Sequence, residues 1–462
     1  MRKTIGCAAL APSEIARLCK PVRKIGQFRE YFTLCRVRWI GSTALCLAAG
    51  LHASTALAQS GEIRVWSWDI AAASLKANIE GFNKQFPNVK VTVEDLGNAQ
   101  VFSKTQAGCA AGGAGLPDVV SIENYKAESY WNQFPDCFAD LKPLGYTAEV
   151  AGKFADFKRA ELEKGEAAYA MPWDSGPVVM YYRRDFYEKA GVDPAGIKTW
   201  DDFIAAGKKV ASANPGVTMS ATDLDGDGTT EWFRMVGNEQ GCNYFAADAS
   251  AVTVNAPACI AVYDKLKQLK DAGTIISAGW SDKIQALKAG KVATIMFGGW
   301  YEGTIRTNAP ELAGKWGVYR MPSLTADGPR AANIGGSSLA IPAGSKNKEA
   351  AFAFVKYALS TDEGQVTMLK AYGLVPSLNS ALEDPYVKQG QPYWGNQAIW
   401  TDILATLPKI KSTHGTAFLN DAEAALKTVQ TKFLGGGYPD AKAALDDAAN
   451  QISSASGLPV AQ

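Results

Sequence analysis

An alternation of strand and helix signals constrains this chain more than any other feature. Ile63-Arg64-Val65-Trp66-Ser67-Trp68 alternates apolar and polar residues, as a half-buried strand does. Leu75, Ile79 and Phe82 then recur at helical spacing over 71–86, and Pro87-Asn88 ends the run. Val89 to Glu94 is alternating and β-branched, and Leu116-Pro117-Asp118-Val119-Val120 is a short buried strand after a glycine-rich turn. Strand, helix, strand, helix, strand specifies a parallel sheet with crossover helices. The rhythm recurs with a strand from Val178 to Arg183, helices near 200–213 and 261–272, and a strand from Val292 to Phe297. The fold class is therefore α/β with at least two lobes. No low-complexity linker divides them, which a chain crossing between lobes more than once explains.

Residues 1–58 differ in kind from the rest. Nine of the 47 Lys and Arg and two of the 46 Asp and Glu fall there, so the remainder carries a net charge of −6. Arg36 and Arg38 precede an apolar stretch from Trp39 to Leu51, and Ala56-Leu57-Ala58 forms an A-x-A cleavage site. A cleaved export leader over 1–58 and a periplasmic chain from Gln59 are expected. A mildly acidic body without a basic stripe argues against nucleic acid as a partner. Cys7, Cys19, Cys35 and Cys46 leave with the leader, while Cys109, Cys137, Cys242 and Cys259 remain. An even count in an exported chain implies disulfides. Four cysteines allow three connectivities, and the pairing that closes short local loops is Cys109–Cys137 with Cys242–Cys259.

Beyond the leader the chain holds a single histidine, His414. A Ser-His-Asp triad would have to draw its base from it, and no G-x-S-x-G elbow is present. There is no P-loop, and no G-x-G-x-x-G follows a strand. His414 is expected as a hydrogen-bonding group at the surface or in a cleft. Glycoside hydrolysis needs two carboxyl groups at a set separation, and no local motif demands that, so no catalytic residues are assigned.

The aromatics carry the positive signal. All but one of the 12 tryptophans lie beyond the leader, several beside Gly, Pro or Asp. A sugar ring has apolar C–H faces and a rim of hydroxyls, so it is held by aromatic faces with carboxylates and amides around them. Trp68-Asp69, Glu123-Asn124, Trp173-Asp174, Trp300 and Trp394 supply that chemistry. Trp200, Trp232, Trp280 and Trp316 read as core or interlobe residues. Separately, Asp223, Asp225 and Asp227 alternate ahead of Thr229 and Glu231, with Gly226 among them, like the opening of an EF-hand calcium loop. Arg234 stands where the closing Glu would be. A structural calcium is one reading, and a solvated acidic loop capped by Asx bonds is the other. No cofactor is required.

Taken in order, several segments resemble the extracellular solute-binding proteins of the maltose-binding type. They are Ile63 to Asp69, Gly115-Leu116-Pro117-Asp118-Val119-Val120, Tyr169-Ala170-Met171-Pro172 with Met180 to Asp185, Lys198 to Phe203, Ala289 through Trp300, Trp316 to Pro322 and Lys346 to Gly364. The resemblance implies a two-lobed periplasmic-binding-protein fold (type II) with a ligand cleft between lobes. It implies three hinge crossings, near 173–176, 334–338 and 373–376. Residues 59–172 and 338–375 would form the first lobe, and 173–337 and 376–462 the second. Trp300 would be the sugar platform, and Trp68, Asp69, Glu123, Asn124, Asp174, Gly335 and Gly336 would line the cleft. The partners implied are a sugar and the membrane permease of an ATP-driven (ABC) importer, with the receptor itself a monomer. Ser412 to Thr416 replaces a stacking aromatic of maltose binders, so the chain looks closer to binders of lactose or other short oligosaccharides. The same fold serving a polyamine or another polar solute, and a secreted carbohydrate hydrolase, are the alternatives.

Overall fold

The structure, a computed structural model, describes residues 60–461, so the leader and its expected cleavage site lie outside the described residues. Strand β1 (Gly61–Ser67) pairs in parallel with β2 (Val89–Asp95) on one side and β3 (Val119–Glu123) on the other. The helical run predicted over 71–86 is two helices, Asp69–Ala77 and Ile79–Gln85, separated at Asn78. A hairpin of β4 (Glu163–Lys164) and β5 (Ala167–Ala168) leads into β6 (Ala170–Pro172). The chain then passes through β7 (Asp174–Ser175) to β8 (Val178–Arg183), β9 (Thr218–Thr222), β10 (Ile275–Ser277), β11 (Val292–Gly298) and β12 (Trp316–Arg320). It returns as β13 (Ser337–Ala340) and crosses again at β14 (Val375–Pro376).

Two five-stranded sheets result, ordered β2-β1-β3-β13-β6 and β10-β9-β11-β8-β12. Every residue of β8 and β11 is buried, as expected for central strands covered by helices on both faces. Each sheet has its own hydrophobic core. The predicted disulfides are both present. Cys109–Cys137 joins the helix Asn98–Ala110 to the loop after the helix Asn124–Gln133, and Cys242–Cys259 anchors the helix Pro257–Asp271. Among the described residues, no helix is long and apolar enough to cross a membrane.

Three passages join the lobes, and the first and third are tied together. β7 and β14 pair antiparallel, Ser175 with Val375 and Asp174 with Pro376. The lobe limits differ from those expected. Trp173 packs wholly inside the first core, because its N–H still donates to the Ser337 carbonyl and so extends the β6–β13 pairing by one residue. Leu378 and Ala381 also belong to the first core.

Candidate functional site

The carboxyl ends of parallel strands are where open α/β sheets bind ligands. Here Trp68-Asp69 follow the end of β1, β3 ends at Glu123, and Trp300 lies two residues past β11. All of these residues line one cavity of about 680 Å³ between the two sheets. The crossings supply Asp174 and the run from Ile334 to Ser337.

One wall is aromatic. The Trp280 and Trp300 rings lie 6.1 Å apart and 31° from parallel, with Phe297 edge-on to Trp300 at 5.2 Å. Trp300 donates from Nε1 to the Ile334 carbonyl at 2.9 Å, which fixes its ring against a crossing. Trp280 is 41% exposed, a large apolar surface open to the cavity. The sequence points to a core or interlobe place for it, although Ala278-Gly279 just before it resembles the setting of Trp300.

The polar groups come mainly from the first lobe and the crossings. Asp69 adopts a left-handed backbone (φ 42°), held where its N–H donates to Asp95 at 3.0 Å. Such strain in a non-glycine residue is typical of functional positions. Burial, and then Asp95, hold the Asp69 carboxyl above the usual range. Asp174 accepts from the Ser337 N–H at 2.7 Å, and burial pushes its carboxyl up to about 6 against the opposing pull of Lys158. Glu123 accepts from Asn98 Nδ2 at 3.2 Å and faces Arg234 of the second lobe at 3.7 Å. Arg234 also stacks 3.6 Å over the Tyr125 ring. Burial works against its charge, but Tyr125, Glu123 and Glu423 hold the guanidinium above its ordinary value. Arg234 sits on a π-helical turn, Phe233–Gly237, a distortion often found at functional sites. In the sequence its one signal is its place, where the closing Glu of a calcium loop would be.

Gly335 and Gly336 have φ of 70° and 79°. A Cβ on Gly336 would lie 2.8 Å from both the Asp174 carbonyl and Lys158 Nζ, so only glycine fits there.

Residues 67–365 match the family model for bacterial extracellular solute-binding proteins. The chain belongs to that family. A lactose-binding protein of Rhizobium radiobacter is 32% identical over 421 residues, 89% of this solute-binding protein and 97% of that one. An arabinooligosaccharide-binding protein of Bacillus subtilis is 25% identical over 87% of the chain. The binding protein of B. animalis subsp. lactis, solved with beta-1,6-galactobiose, superposes with a TM-score of 0.72 at 25% identity, covering 87% of this chain and all of that one. The GacH receptor of Streptomyces glaucescens, at 22% identity and a TM-score of 0.73, shares the fold over 86% of this chain and 98% of its own. Members of this family are binding proteins rather than enzymes.

Four expected ligand contacts of this solute-binding protein lie elsewhere. Trp173 is fully buried and donates to Met368 Sδ at 3.0 Å. Trp394 is fully buried as well, bonded to Glu302 at 2.9 Å and packed on Tyr181. Asn124 is turned under the crossing, its backbone N–H on the Gly336 carbonyl and its amide on the Lys158 carbonyl. His414 lines a smaller chamber of about 40 Å³ with Tyr125 and Tyr244, which shares Arg234 and Gly335 with the main cavity.

The carboxylates of the aspartate loop take partners within the protein. Asp223 accepts from the Gly226 and Gly228 N–H groups. Asp225 takes the Ser277 hydroxyl, Asp227 pairs outward with Lys427, and Thr229 donates to the Gly226 carbonyl. Glu231 pairs with Lys283 and lines the cleft. Among the described residues, no three acidic, His or Cys side chains gather to hold a metal. Chelation with EDTA is expected to leave the thermal unfolding midpoint unchanged, and a fall of several degrees would show the loop rearranging around a cation.

Proposed function

We propose that this chain is the substrate-binding component of an ABC-type sugar importer, exported through its cleaved leader as a periplasmic monomer. It captures a mono- or short oligosaccharide of lactose-like size and delivers it to a membrane permease. One observation carries the reading. Trp280 and Trp300 of one lobe face the same cavity as Asp69 and Glu123 of the other, so a sugar bridging the lobes stacks on indoles and donates its hydroxyls to carboxylates. Such a ligand binds the closed arrangement better than the open one, and shifts the population toward it. No covalent step on this chain is invoked.

Thermal unfolding of residues 59–462 against lactose, galactobiose, monosaccharides, spermidine and glycerol phosphate tests the assignment. A disaccharide at a hundred times its Kd adds about 2.7 kcal/mol of stability. The expected result is a midpoint raised by a few degrees with one sugar, which is recovered intact. A shift with spermidine or glycerol phosphate alone overturns the ligand class. Consumption of the sugar points to a hydrolase.

A further inference from the structure

We propose that Lys158 is a positioning residue for ligand capture: a buried ammonium that never reaches the cavity and acts through Asp174, holding that carboxylate ionised at the cavity wall. This inference rests on the sugar-receptor reading above.

Lys158 lies on the short helix Asp156–Ala160 of the first lobe. Its side chain is wholly buried, and Nζ has no hydrogen-bond partner. A buried cation without partners is costly unless anions surround it. Burial pulls the Lys158 ammonium down to about 8, opposed by three carboxylates from separate places: Glu161 just beyond its own helix, Asp174 on β7, and Glu123 at the end of β3. Two of these are engaged elsewhere. Glu161 accepts from the Thr413 hydroxyl at 2.9 Å, and Glu123 accepts from Asn98 and faces Arg234 at 3.7 Å. Asp174 accepts from the Ser337 N–H at 2.7 Å, and the charge that acts on it most is Lys158. Gly336 leaves room for this, since any Cβ there would press on Lys158 Nζ and the Asp174 backbone together. The ammonium thus sits behind the first crossing while the carboxylate it supports lines the cavity.

Hydrogen bonds to an ionised acceptor are roughly twice as strong as neutral ones, so a sugar hydroxyl gains most from Asp174 as a carboxylate. Burial pushes the Asp174 carboxyl up and Lys158 opposes this, leaving it at about 6. The sign follows. Affinity is full about one pH unit above that value and falls as pH drops through it. Without the ammonium, the fall begins at higher pH.

The test is isothermal titration of wild type, Lys158→Met and Asp174→Asn between pH 5 and 8.5. The probe is lactose or whichever panel disaccharide most raises the unfolding midpoint. Wild type is expected to lose affinity several-fold between pH 7 and 5. Lys158→Met moves that loss up by about one pH unit, giving binding about twofold weaker at pH 7 and about fivefold weaker at pH 6 that recovers by pH 8.5. Asp174→Asn binds weakly with a flat profile, and adding Lys158→Met to it changes affinity no further. If Lys158→Met does not fold, Lys158→Gln replaces it. A wild-type profile that is flat from pH 8 to 5 overturns the proposal without any Lys158 variant. A Lys158→Met profile parallel to wild type, lowered equally at every pH, also overturns it while leaving the sugar receptor intact. Absence of binding to every sugar overturns the receptor reading, and this inference with it.

Discussion

Trp300→Ala is expected to weaken sugar binding about a hundredfold, the size of effect found when a central aromatic anchor is removed. The indole has three jobs that alanine cannot share. It presents a ring face to the cavity, and it packs against both hydrophobic cores. Its Nε1–H also satisfies the Ile334 carbonyl on the second crossing. Truncation removes the platform, opens a void between the cores and leaves a carbonyl unpaired. The unfolding midpoint should therefore fall along with affinity. Trp280→Ala provides the contrast. Its ring is 41% exposed, so its loss should weaken binding by about tenfold with little change in the midpoint. Titration calorimetry with the sugar and thermal unfolding without it separate the two outcomes. Trp300→Ala binding within threefold of wild type would remove this ring from the site.

Gly176→Ala should damage both stability and binding. A Cβ at Gly176 would lie 1.9 Å from the Ile334 carbonyl oxygen and 3.2 Å from Trp300 Nε1. The obstruction is backbone, so no rotamer relieves it. Two bonds hold the strands at that spacing: the Gly176 N–H to Asn333 Oδ1 at 2.8 Å, and the Ile334 N–H to the Gly176 carbonyl at 2.8 Å. Relaxation therefore means parting two of the three crossings, at about 3 kcal/mol or more. Since both crossings form the hinge, the closed state should lose most and affinity should drop with stability. Gly344→Ala is the control, because nothing lies within 4 Å of its added Cβ. It should stay within about 0.5 kcal/mol of wild type by urea unfolding. Equal behaviour of the two variants would mean that the crossings are not held as closely as described.

Some of this protein could be read from residue order alone. Alternation marked β1 and β2, apolar runs marked β3, β8 and β11, and the βαβ order left parallel sheets with crossover helices as the natural solution. Loop length pointed to the cysteine pairs that the structure contains. These signals survive because they act over a few residues, where periodicity and local chain entropy decide. The direction of each side chain at the site was another matter. Trp173 and Trp300 both sit among Gly, Pro or Asp, yet one ring points into the first core and the other lines the cavity. Trp280, read as core, is exposed to the cavity, and Arg234 reaches Glu123 across more than a hundred residues of chain. In the aspartate loop the spacing suited calcium, but Asp227 and Glu231 turned to Lys427 and Lys283, partners far away in sequence. The sequence by itself determined the strands and helices with clear periodicity, the α/β class and the family. Only the tertiary structure decided which aromatic and which carboxylate meet in the cavity, because that choice depends on how two separately packed cores are set against each other by three crossings.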